Sequence, residues 1–145
     1  MSRKNLAAVA ALAMLCASHV SAQDNAGVIS LELNRTSASS DGGCQVVFFG
    51  QNGLDTALTD VTWRLAVFDA EGVFRNLLAL PLGSLSAGKR RVVQYNLPAP
   101  CADLSEIIVN DVAACEIEGA SGDEASDLCL SSLTVTSRTD IAFGL

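Results

Sequence analysis

From Val28 onward, short apolar runs alternate with clusters of turn-forming residues at a spacing of roughly ten residues, the pattern of an all-β sandwich or barrel. The runs are 28–34, 45–51, 61–69, 73–80, 90–97, 106–112 and 130–136. Between them lie 37–43 (SASSDGG), 52–60, 69–72, 83–89, 98–103 and 116–127. Period-2 alternation is clearest in the third run, where Val61, Trp63, Leu65 and Val67 oppose Thr62, Arg64 and Ala66. Val93, Tyr95 and Leu97 likewise share a face, as do Ile29, Leu31 and Leu33. Strands with one apolar face suit antiparallel sheets packed face to face. Trp63 and Tyr95 are expected in the core. Phe48, Phe49 and Phe68 break strict alternation, so at least one of them is expected at an exposed interface.

Residues 1–22 read as a cleaved export signal. Arg3 and Lys4 precede the apolar stretch LAAVAALAMLCA, and Val20-Ser21-Ala22 supplies small residues before Gln23. The stretch is shorter than the roughly 20 apolar residues a membrane-spanning helix needs. It is also the only helix expected. Lysine stands where a twin-arginine signal has its second arginine, which favours the general secretory route. Residues 23–145 then form a single domain in the periplasm or outside the cell, with no membrane span in the mature chain. Of nine Lys and Arg, two leave with the signal, so seven face sixteen Asp and Glu, a net charge of −9. That balance argues against a nucleic-acid partner. His19, Met1 and Met14 leave as well, which excludes imidazole acid/base chemistry, imidazole metal sites and Met-lined copper sites from the mature chain.

Seven strands in the mature length fit an immunoglobulin-like β-sandwich of about seven antiparallel strands. Three sets of residues point the same way: 46–53 with its Asn52-Gly53, then 61–72 (VTWRLAVFDAEG), then Leu85-Ser86-Ala87-Gly88-Lys89. Together they resemble small exported bacterial immunoglobulin-like domains of the FxLYD type over roughly residues 44–97. With four cysteines and Asn110-Asp111-Val112 ahead of Cys115, the chain also resembles a group of small exported proteobacterial proteins of unassigned function. The resemblance implies a fold and a compartment and brings no catalytic residue.

Loss of Cys16 leaves Cys44, Cys101, Cys115 and Cys129. An even number in an exported domain indicates two disulfides, and the gaps do not suit a four-thiolate zinc site. Cys101 and Cys115 flank the sixth run; at about 3.3 Å per residue an extended link would hold them far beyond the 7 Å reach of a disulfide. In a sandwich of this topology the second strand runs antiparallel to the fifth, so Cys44 lies near Cys101. The end of the sixth strand and the start of the seventh would bring Cys115 to Cys129. The expected pairs are Cys44–Cys101 and Cys115–Cys129.

The segment 116–127 (EIEGASGDEASD) is expected to be an acidic loop, with Glu116, Glu118, Asp123, Glu124 and Asp127 as possible partner contacts or, alternatively, calcium ligands. Lys89-Arg90-Arg91, the one basic cluster, is expected to keep a sheet edge soluble. Asp69 with Glu71, and Asp103 with Glu106, fall in turns, where carboxylates serve hydrogen bonding. Catalytic residues, a metal and cofactors are not expected. The leading expectation is therefore a non-enzymatic accessory or adaptor that binds another envelope protein. Alternatives are a small-ligand or calcium binder, and an inhibitor of a secreted enzyme.

Overall fold

The computed structural model describes residues 25–145, so the expected export signal lies outside the described residues. Eight strands form among the described residues: β1 (Ile29–Ala38), β2 (Cys44–Asn52), β3 (Leu58–Asp69), β4 (Phe74–Pro81), β5 (Arg90–Leu97), β6 (Leu104–Ile117), β7 (Leu133–Ser137) and β8 (Ala142–Gly144). One sheet has the order β5-β2-β1-β7 and the other β4-β3-β6-β8. Alternation decides which side chains turn inward. In β2 every second residue from Cys44 to Asn52 is buried, and Ile29, Leu31 and Leu33 are buried on β1. From the opposite sheet Val61, Trp63, Leu65 and Val67 meet them in a single core. Phe48 and Phe143 touch edge to face across the two layers, with ring centroids 5.5 Å apart. Trp63 is wholly enclosed, and Tyr95 is half-buried against the core.

Two strand pairs depart from the all-antiparallel expectation. β7 runs parallel to β1, and β8 runs parallel to β6. Both follow from what joins β6 to β7. Residues 116–127 are not the expected loop: β6 continues through Glu116 and Ile117, and an α-helix, α1, occupies Gly122–Ser131. The expected seventh strand accordingly begins at Leu133 rather than at residue 130. A helical crossover lets the chain change sheets and return in a parallel sense, which a tight hairpin cannot do.

Both disulfides have the expected partners. Cys44 pairs with Cys101 at a Cα separation of 4.7 Å, and Cys115 with Cys129 at 6.3 Å. The first follows from antiparallel pairing of β2 with β5, which sets Cys44 opposite Leu97. The second has a different cause from the one expected. Cys129 lies on α1, not at the start of β7, and with Ala125 one turn earlier it forms the buried stripe that docks the helix on β6.

Turn chemistry fixes the strand ends. Asn52 is fully buried at the end of β2; its Nδ2 donates to the carbonyls of Thr56 (2.9 Å) and Leu85 (3.0 Å), and its Oδ1 accepts from the Leu54 N–H (3.0 Å). At the next position, Gly53, a Cβ would collide with the Asn25 and Val28 carbonyls. The β3–β4 turn is held by Asp69, whose Oδ1 accepts from the N–H groups of Glu71 (3.1 Å) and Val73 (2.8 Å). Gly72 supplies the positive φ of 75° that this turn requires.

On the outer face of the first sheet, Glu32 of β1 accepts from Arg138 (2.7 Å), just past β7, and from Asn34 (2.6 Å). Partial burial opposes ionisation, but the Asn34 and Arg138 hydrogen bonds and the Arg138 charge outweigh it and lower the Glu32 carboxyl below its ordinary value. A carboxyl with a depressed folded pKa stabilises above its unfolded pKa and loses that contribution as pH falls through the folded value. Glu32→Gln is therefore expected to cost a few tenths of a kcal/mol at pH 7. In urea titrations the difference should vanish below about pH 4; a constant difference across the range would show that the charge is not its origin.

Candidate binding surface

Four strands end the two sheets, and they are protected unequally. β7 has five residues and β8 three. β5 begins with Arg90 and Arg91, and its outward positions include the polar Gln94 and Asn96 beside one exposed apolar residue, Val92. Lys89, Arg90 and Arg91 thus mark the start of an edge strand. Charge, brevity and polarity are the usual means of blunting a sheet edge. β4 has little of this. Its sequence is FRNLLALP; Phe74 and Leu77 are each 52% exposed, and the preceding Val73 is 56% exposed. Its one charged residue, Arg75, folds back onto Asp69, Nη1 to Oδ2 at 3.4 Å.

The apolar surface continues inward from that edge. The β3–β4 register sets Leu77 beside Ala66 and Phe74 beside Phe68, and on the far side Ala66 pairs with Ile108 of β6. Phe68 and Phe74 meet edge to face with centroids 6.1 Å apart. Of the three phenylalanines that broke the alternation, Phe48 is buried, while Phe49 and Phe68 are half-exposed on opposite outer faces. Phe49 lies under the Arg90 guanidinium, 6.0 Å from its ring centroid; Phe68 joins the β4 patch. The bulge between Val67 and Phe68 matters here, because it turns Phe74 onto the same face as Phe68 while Arg75 becomes the extra residue.

Ion pairs and polar groups rim this patch. Toward the C-terminal half of β4, Arg64 and Asp111 pair at 2.5 Å. The Arg64 hydrogen bond holds the Asp111 carboxyl below its ordinary value, and Asp111 raises Arg64 in turn. Both side chains are well exposed, so the pair marks the rim and adds little stability. At the N-terminal end of β4 an open cleft of about 480 Å³ is lined by Asp69, Glu71, Arg75, Asp103 and the Pro98–Pro100 turn. The Asp69 carboxylate is committed to the turn and to Arg75. Glu106 lies opposite Phe68 on β6.

The acidic residues singled out in the sequence do not form one cluster. Glu116 ends β6, Glu118 lies in the following turn, and Asp123, Glu124 and Asp127 are on the exposed side of α1. Among the described residues no three His, Cys, Asp or Glu side chains converge as metal ligands. Lys89, the one lysine outside the expected signal, is exposed in the turn before β5.

Sequence reasoning missed Phe74 and Leu77 as surface residues. The signal was present: β4 lacks clean alternation, with Leu77 and Leu78 adjacent, and an apolar run without alternation reads as a buried strand. Its exposure becomes visible only once the sheet order places it at an edge. Compared with protein-family models, curated proteins and solved structures, the chain matches none of them.

Proposed function

We propose that this chain is a non-enzymatic, immunoglobulin-like domain of the bacterial envelope, acting in the periplasm as an accessory or adaptor that binds another protein through its β4 edge. The observation that carries this reading is the exposed apolar edge formed by Val73, Phe74 and Leu77, continuous with Phe68 and Ile108 on the outer face. An open strand edge with apolar side chains is a template for pairing with another chain, and exported domains that leave one uncovered risk aggregation. Two disulfides suit an oxidising compartment. The immunoglobulin-like reading draws support from the wholly buried Trp63 on the third strand, where such domains place their core tryptophan. It also draws on the turn roles of Asn52, Asp69 and Gly72, the positions that carry the FxLYD resemblance.

Affinity capture from a periplasmic extract tests the reading. Leu77→Lys adds charge at an exposed position and should leave stability within about 0.5 kcal/mol of the parent. It is expected to reduce capture of the partner at least tenfold, because a charge at the centre of an apolar interface goes uncompensated. Glu124→Lys on α1 is expected to leave capture unchanged. The opposite pattern would move the contact to the acidic helix.

A further inference from the structure

The two ends of β4 carry opposite charge. Beside its N-terminal end lie Glu71 and Asp103, exposed, with Glu106 next to Phe68. Toward its C-terminal end lie Arg91, which donates to the Leu82 carbonyl just past Pro81, and Lys89 two residues before it; Arg90 between them reaches over Phe49 on the other sheet. Among the described residues no carboxylate is within ion-pair distance of these three cations. An edge that is acidic at one end, apolar in the middle and basic at the other is complementary to itself when reversed. A two-fold axis makes that reversal, and isologous pairing is the commonest symmetric contact between identical chains.

We infer that the β4 edge pairs antiparallel with β4 of a second copy of this chain, joining two four-stranded sheets into one of eight strands. The inference rests on β4 being the binding edge. Opposed residues in an antiparallel pair share a face, so an axis through Leu77 sets that side chain against its own copy. It also aligns the Phe68–Phe74 pairs of both molecules on one continuous outer face. Arg75 then meets an uncharged stretch of the partner strand, and Glu71 of each molecule approaches the Lys89–Arg91 end of the other. Pro81, which has no N–H to donate, falls at the strand's end, where its loss is tolerated.

Sedimentation velocity on the disulfide-intact protein, from about 1 to 500 μM (a range spanning typical self-association constants), tests this. A concentration-dependent dimer is expected, weakened by raising the salt to 0.5 M because exposed charges are screened. Leu77→Lys should abolish it. Glu71→Lys and Lys89→Glu should each weaken it about fivefold, with two contacts altered per dimer, and the double reversal should recover most of the loss. A monomer at every concentration, or a dimer indifferent to Leu77→Lys, overturns the inference. A monomer whose Leu77→Lys variant loses capture of a different envelope protein overturns the second copy as occupant while leaving the binding edge standing. A monomer whose Leu77→Lys variant still captures that protein overturns both.

Discussion

Replacing Cys44 and Cys101 together by serine is expected to lower the unfolding free energy by about 4 kcal/mol, the larger of the two disulfide effects. The bond closes a loop across 57 positions of sequence, against 14 for Cys115–Cys129. In the chain-entropy account the longer loop restricts the unfolded chain more, so the second pair is worth about 3 kcal/mol. Position 44 is fully buried, so serine there also places a hydroxyl in the core. The bond ties the start of β2 to the 3-10 turn Cys101–Asp103, and the Asp103 carbonyl accepts the Ala70 N–H from the β3–β4 turn. Without it, the acidic end of β4 loses its anchor as well. Urea denaturation of the double variant checks the figure; a loss under 1 kcal/mol would mean that this end is held by packing alone.

Asn52→Ala is expected to cost about 3 kcal/mol, a large effect for the last residue of a strand. The amide satisfies two carbonyls and one N–H drawn from Thr56, Leu85 and Leu54, so it joins the β2 end to two separate loops. Alanine removes all three bonds, at about 1 kcal/mol for each; the Leu85 carbonyl keeps the Leu58 N–H, while the other two partners are part-buried. Asn52→Asp should be worse at neutral pH, because a carboxylate would face the Thr56 and Leu85 oxygens. Burial and those oxygens would raise its folded pKa above the unfolded value of about 3.9, so its deficit grows as pH rises above about 4. Parallel melts of both variants from pH 3 to 7 separate lost hydrogen bonding from buried charge.

Much of this architecture was legible in the residues, for local reasons. The alternation in 29–33, 61–67 and 93–97 needs only a pleat and one apolar face, and each forms a strand with the expected side inward. An extended β6 excluded Cys101–Cys115, and antiparallel pairing of β2 with β5 made Cys44–Cys101 legible; Cys115–Cys129 forms through helix α1, which was not legible. Ser121 and Glu124 have the spacing of a capping box, yet only Ala125 and Cys129 are buried, too few for an apolar period to stand out from an acidic Gly/Ser stretch. The structure forms no Ser121 side-chain cap; Asp123 and Glu124 in the first turn favour the helix through its dipole instead. The parallel placement of β7 and β8 depends on that helix, so it was hidden too. The β4 surface was hidden for a different reason: the run 73–80 lacks clean alternation, so nothing in it marks Phe74 and Leu77 as exposed until the sheet order leaves their strand unpaired on one side.

We propose that this sandwich works through the apolar edge of β4. A photoreactive amino acid at Leu77, with Glu124 on α1 as the control position, tests it inside cells that export the protein. Light-dependent adducts from position 77 and none from position 124 are the predicted result. Adducts from 124 with none from 77 would contradict the claim.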